Sequence, residues 1–286
     1  MNVLTLQKPL ASPYVDAIRT LHTVSSELGV PFLIVGATAD LIISEHVHGD
    51  ASRGTHDIDF AVALHSWDVF DTLKTRIVGT GLFSADPRLA HRLRSTRSAM
   101  HIDLIPFGQI ADANAEIRWP PGDAEVMNVL GFEEALHSAE RVEIEAGLIV
   151  PVASQPGFAL LKIFAWRDRG RNAAISKDAG DIVRIIDRYQ YLERIYTDVP
   201  HDVQEAHGFE PERVGAWLLG REVGSIASAR TRAELIGLLD EAGIGRIAAG
   251  GLTTTVRSGS KVERNIALMR AFADGIAFTP LTGAPP

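Results

Sequence analysis

The chain has 286 residues, 46% of them hydrophobic and 22% charged, which suits a folded protein able to bury a core without covalent staples. It contains no cysteine, so disulfides and thiolate metal sites are excluded and any metal must be held by oxygen or imidazole. The formal net charge of -8 argues against a surface coated in cations for nucleic acid, while leaving room for a local basic groove.

The N-terminus has no charged segment followed by an apolar stretch and does not read as a secretory signal. The longest apolar run, Val30 to Ile43, contains Asp40 and is too short to span a bilayer, so no membrane is expected and the expected location is the cytoplasm. Tyr14 to Leu28 has helical spacing and stops at Gly29. Pro31 to Val35 is a short β-rich run, followed by a helix from Ala37 to His46 and a polar loop from His48 to Thr55. Asp57 to Leu64 is a second strand, and Ser66 is the N-cap of a helix reaching about Ile77. Leu89 to Ser95 and Met100 to Phe107 are two further strands. Arg141 to Glu145 and Leu148 to Val152 form a hairpin across Ala146-Gly147.

After Pro156 the pattern becomes helical throughout: Gly157 to Arg169, Asp178 to Tyr191, Pro211 to Ile226, Arg232 to Glu241 and Lys261 to Ala273. The expected fold class is α/β (α+β): residues 1–155 carrying a small mixed sheet, then an α-helical domain over residues 156–286 that completes an active-site cleft.

The chemistry centres on Asp57-Ile58-Asp59-Phe60. On a strand, residues two apart share a face, so Asp57 and Asp59 project together while Ile58 and Phe60 turn to the apolar side. Two adjacent carboxylates repel unless a cation lies between them, and magnesium prefers a few carboxylates with waters and phosphates. Asp103, in the apolar strand Met100 to Ile105, either joins the pair as a third carboxylate or forms an ion pair with Arg92 or Arg94. Three carboxylates suit two metal ions about 3.5–4 Å apart, an arrangement that supports in-line phosphoryl displacement. Gly36, at a strand-to-helix turn, lets backbone N–H groups approach a phosphate.

The order of strand, small-residue turn, helix, loop and Asp-x-Asp strand resembles the nucleotidyltransferase superfamily with a polymerase-β-like fold. More narrowly, the chain resembles the AbiEii/AbiGii (MenT-like) toxin family. The resemblance covers Val35 to Phe60, His101 to Gly108 and Leu148 to Ile186. Within the last stretch, Phe158-Ala159-Leu160-Leu161-Lys162 and Lys177-Asp178-Ala179-Gly180-Asp181-Ile182 form the family's helical signature. It implies metal binding at Asp57 and Asp59, phosphate contact by Lys162, and a catalytic or positioning role for Asp178 and Asp181. It departs from the superfamily at Gly36-Ala37, where a Gly-Ser turn is usual, and in the longer interval between Gly36 and Asp57.

Lys162 lies mid-helix among apolar residues, either snorkelling to the surface or facing the cleft as a phosphate binder. Arg167, Arg169 and Arg171 are placed to line the same groove. Arg53 and Thr55 immediately precede the metal ligands and are candidates for nucleotide contact. Histidines 46, 48, 56, 65 and 101 match no zinc spacing and read as solvated loop residues. Arg88 to Arg97 reads equally as a nucleic-acid or triphosphate contact and as a solvated edge strand.

The expected activity is transfer of a nucleoside monophosphate from an NTP to a hydroxyl, with two Mg2+ ions as cofactor. Asp103, or one of Asp178 and Asp181, serves as general base. The resemblance implies an RNA acceptor, with a tRNA 3′ end as one such acceptor, and a toxin–antitoxin or abortive-infection setting with a cognate antitoxin. The alternatives are an antibiotic-type enzyme acting on a small molecule, and a nucleotide-binding regulatory protein that has lost catalysis.

Overall fold

The computed structural model describes residues 2–49, 55, 57–120, 126–171, 176–251 and 259–279. The chain divides into two compact units, Met1–Phe158 and Ala159–Pro286. Among the described residues, no helix is long and apolar enough to cross a membrane.

The first unit is built on one mixed sheet of eight strands: β1 (Val3–Thr5), β2 (Phe32–Val35), β3 (Asp57–Ala63), β4 (Phe83–Ala85), β5 (Arg92–Ser95), β6 (His101–Phe107), and β9 (Glu140–Glu145) and β10 (Leu148–Val152). Their order across the sheet is β1-β9-β10-β2-β3-β6-β5-β4, and β7 (Glu116–Arg118) and β8 (Val126–Asn128) pair separately. The sheet is larger than the sequence reading expects. β1, β4, β7 and β8 are each three residues long, too short to show a period of two.

Local chemistry explains the elements around β3. Helix α1 (Ser12–Leu28) opens with Pro13 in its first turn and closes on Gly29 at φ 65°, the left-handed cap that glycine adopts without strain. α3 (Trp67–Gly79) is capped by the Ser66 hydroxyl, which accepts from the Val69 N–H at 3.4 Å. The single helix expected over Ala37 to His46 is instead α2 (Gly36–Asp40) running into a wider π-helical segment, Leu41–Val47. That segment closes with His48 N–H donating to the Ile43 carbonyl five residues back, at 3.1 Å.

Central strand β3 is antiparallel to β2 and parallel to β6, with Asp57 opposite His101 and Asp59 opposite Asp103. Ile58, Phe60, Ala61 and Val62 are fully buried. Their burial fixes the register, because a slip of one residue would bring both aspartates into the core. β5 lies between β6 and β4, so the basic stretch Arg88 to Arg97 does not form an edge strand. α4 (Phe132–His137) completes the unit, and the division between units falls inside α5 (Gln155–Ala165).

The second unit is helical: α6 (Lys177–Arg188), α7 (Leu192–Asp198), α8 (His201–Ala206), α9 (Pro211–Ile226), α10 (Ala229–Leu238), α11 (Glu241–Gly250) and α12 (Gly259–Ala277). A short π-helical segment, Trp166–Gly170, extends α5. α9 and α12 cross at close range over glycines. A Cβ on Gly220 would lie 2.0 Å from the Phe272 carbonyl, and one on Gly275 would lie 2.1 Å from that of Trp217. Missing side chains allow that approach, and Trp217, Leu218, Phe272 and Ile276 fill the core around it.

Candidate active site

Side chains directly opposite on neighbouring strands lie on one face. The β3–β6–β5 register therefore creates two rows: Asp59, Asp103 and Arg92, then Asp57, His101 and Arg94. Alternation within β3 accounts for the two aspartates, and only the pairing with β6 accounts for His101 and Asp103 joining them.

The carboxylates of Asp57 and Asp103 have identifiable hydrogen-bond partners. Thr55 donates its hydroxyl to Asp57 Oδ1. The Thr38 hydroxyl donates to the Asp57 backbone carbonyl at 2.8 Å, tying α2 to the start of β3. Tyr14 donates its hydroxyl to the Thr55 carbonyl, and burial together with the Asp57 charge pushes that phenol above its ordinary value. Asp59 Oδ2 rests against Gly36, which has φ 66°. A Cβ on Gly36 would lie 2.0 Å from that oxygen, so this position needs glycine for both its dihedral and its space. Ala37 follows as the second residue of α2.

Asp103 is gripped by Arg92, Nε donating to Oδ1 at 2.7 Å and Nη2 to Oδ2 at 2.6 Å. The hydrogen bond to Asp103 raises the Arg92 guanidinium above its already high ordinary value, with the Asp57 charge adding to it. Arg94 turns away to Asp86, Nε to Oδ2 at 2.5 Å, and the backbone N–H groups of Arg88 and Leu89 donate to Asp86 Oδ1. Those bonds pull the Asp86 carboxyl down to about 2. Two cations of the basic stretch are thus committed to ion pairs. The alternative in which Asp103 pairs with Arg92 is what the geometry contains.

Asp57, His101 and Asp103 each present a ligand atom, all within 4.8 Å of one another. Two carboxylate oxygens and an imidazole nitrogen form a donor set that fits a divalent cation. His101 lies on β6, not in a loop as the sequence reading expects, and that reading assigns it no role. A strand period through Met100 to Phe107 puts His101 and Asp103 on one face, a signal that was available.

In the second unit, Lys162 is buried at 7% exposure and does not snorkel. Its ammonium lies 3.2 Å from Asp178 Oδ1 and 2.8 Å from Asp181 Oδ2. Arg169 forks Asp178 at 2.7 and 3.0 Å, and Arg184 reaches Asp181 Oδ1 at 2.8 Å. The Ser176 hydroxyl caps α6, accepting from the Ala179 N–H at 3.3 Å, which sets Asp178 in the first helical turn. Burial by itself raises the Asp178 carboxyl; the Arg169 hydrogen bond and the Lys162 charge outweigh it, and the net displacement is downward. Arg167 pairs with Asp168 at 2.6 Å and stacks on Phe164, so the expected row of groove arginines is largely occupied within its own unit.

Of the residues expected to act, the first unit thus brings together Asp57, Asp59, Asp103, Gly36, Ala37 and Thr55. The second brings together Lys162, Asp178 and Asp181. Arg53 and His56 lie outside the described residues.

Solved structures to which the chain is similar include the antibiotic-resistance factor ANT(2'')-Ia, at 16% identity over 80% of this chain and 96% of that one, with a TM-score of 0.37. An antigenic nucleotidyltransferase-like protein from Paracoccidioides brasiliensis matches at 15% identity over 72% of this chain and 94% of its own, with a TM-score of 0.39. The Thermotoga maritima CCA-adding enzyme complexed with tRNA matches at 12% identity over 99% and 88%, with a TM-score of 0.26. No curated protein is detectably similar in sequence. The family described as "Nucleotidyl transferase AbiEii toxin, Type IV TA system" matches residues 19–245. Over most of its length, therefore, this chain belongs to the AbiEii family of nucleotidyltransferase toxins.

Proposed function

We propose that this nucleotidyltransferase moves a nucleoside monophosphate from an NTP to a hydroxyl of RNA, with a tRNA 3′ end as the favoured acceptor. It acts as the toxin of a toxin–antitoxin pair whose partner is a cognate antitoxin. The observation that carries the reading is the in-register placement of Asp57 and Asp59 beside Asp103, with Gly36 against Asp59. Asp57, Asp59 and Asp103 would hold two divalent ions such as Mg2+, whose charge would offset that developing on the transferred phosphoryl group. Asp103, positioned by Arg92, also takes the proton of the acceptor hydroxyl. Thr55 acts through Asp57 by fixing its carboxylate. In the first unit Gly36, Ala37 and Arg53 contact the triphosphate; in the second, Asp178 and Asp181 orient the Lys162 ammonium.

Incubation with each labelled NTP, magnesium and total cellular RNA tests this. Label enters RNA with the native chain and is lost with Asp57→Ala or Asp59→Asn. An active preparation that labels no acceptor with any NTP overturns the proposal.

One observation favours a second reading, a small hydroxyl-bearing acceptor. Arg92 and Arg94, the cations beside the carboxylates, are each paired with an acidic partner, which offsets charge a polyanion would otherwise meet. Label appearing in a small acceptor in place of RNA would establish that reading.

A further inference from the structure

His101 stands directly across the β3–β6 ladder from Asp57, its Nε2 3.9 Å from Asp57 Oδ2. That separation is too long for a hydrogen bond. It lies within the roughly 4.3 Å that two ligand atoms can span when each sits about 2.0–2.2 Å from one ion. Asp103 closes the same group, its ligand atom within 4.8 Å of both. The ring is only partly exposed, its side chain at 24%, and the buried side chains of Ile102 and Leu104 hold β6 in register behind it. On its β5 flank His101 faces Arg94, whose guanidinium is drawn off to Asp86. Arg92 occupies one lone-pair direction on each Asp103 oxygen, and a carboxylate oxygen keeps a second for another contact.

An imidazole changes which ion such a site prefers. Magnesium is a hard cation that selects oxygen ligands and dehydrates reluctantly. First-row transition ions accept a mixed nitrogen and oxygen set, and their affinity for it is higher. We infer that His101 is a metal ligand alongside Asp57 and Asp103, and that it tunes this site toward a first-row divalent ion, of which Mn2+ is the probe, in preference to Mg2+. The inference rests on the proposal that these carboxylates hold the catalytic metal, and it assigns that metal's identity to a residue other than the aspartates.

The test is direct binding to the full-length chain after chelation, followed by the loss of free Mn2+ spin-resonance signal and by Mg2+ competition. The native chain binds Mn2+ at least about tenfold more tightly than Mg2+. His101→Asn lowers Mn2+ affinity by at least the ~10-fold that even indirect ligand changes cost, and leaves Mg2+ affinity nearly unchanged. His101→Asp, which restores an oxygen donor, keeps Mg2+ affinity and narrows the Mn2+ preference. Circular dichroism verifies that each variant is folded, and Co2+ absorption in the native chain reports a nitrogen ligand that both variants lose. A folded His101→Asn chain with native Mn2+ affinity overturns the inference. NMP transfer is measured in parallel on the native chain. Transfer without any Mn2+ preference in binding overturns this inference alone, whereas His101-dependent Mn2+ binding without transfer overturns the proposed activity alone.

Discussion

Arg92 and Asp103 form a two-pronged ion pair across β5 and β6, with donor–acceptor distances of 2.7 and 2.6 Å. The planar guanidinium matches the carboxylate in both position and orientation, which a lysine ammonium cannot do. Asp103 is thereby held at a fixed angle toward the Asp57 side of the site.

Replacing Arg92 with Gln leaves that carboxylate without its counter-charge. The side chains are 26% and 12% exposed, so solvent screens part of the loss, and about 1–2 kcal/mol of stability should disappear. Arg92→Lys should fall between native and Gln. Urea denaturation checks the order, and a Lys variant as stable as the native chain would contradict the fork geometry.

Gly36→Ala places a methyl group 2.0 Å from Asp59 Oδ2 on a backbone with φ 66°. The chain must move either the turn or the carboxylate. Stability should drop by about 1–3 kcal/mol, and NMP transfer by ~100-fold or more, because small misplacements of reacting groups are costly. Transfer assays and thermal melts on the same sample check both. A variant with native turnover would show that the Asp59 position is not critical.

Lys162→Met removes the ammonium shared by Asp178 and Asp181. Breaking a buried pair usually costs about 3–5 kcal/mol, but Arg169 and Arg184 still hold the two carboxylates, so a loss of about 2–3 kcal/mol is expected. The double variant Asp178→Asn/Asp181→Asn on that background should recover part of it.

Asp86 supplies the pH prediction. Its folded carboxyl is depressed to about 2 from an ordinary 3.8, so it stabilises the fold above the ordinary value. That contribution is lost as pH falls through the interval from about 3.8 to about 2. Asp86→Asn should therefore be less stable than the native chain at neutral pH and should lose stability less steeply in that interval. Acid titration of thermal midpoints measures it; parallel curves for the two chains would show that Asp86 is not the group responsible.

The alternation of Asp57, Ile58, Asp59 and Phe60 is legible in one dimension, because a strand's side-chain period is a property of the backbone. So are the glycine stop of α1, the Ser66 cap and the hairpin across Ala146-Gly147, each encoded within a few residues. The three-residue strands are not, since their conformation comes from neighbours far along the chain. The helix after Gly36 is legible as a helix, but its π-helical continuation over Leu41–Val47 is not, because the two differ by one residue in hydrogen-bond reach.

By itself, then, the sequence determines the alternation that pairs Asp57 with Asp59, the helical character after Pro156 and the family to which the chain belongs. Only the tertiary structure decides which charges meet. The β3–β6 register sets His101 beside Asp57 and Asp103 beside Asp59, and the β5–β6 register delivers Arg92 to Asp103. In the second unit, the fold buries Lys162 between Asp178 and Asp181. The physical reason is one of range. Periodicity and capping are local, whereas Coulomb pairing and ligand geometry depend on separations of a few ångströms between residues distant in sequence.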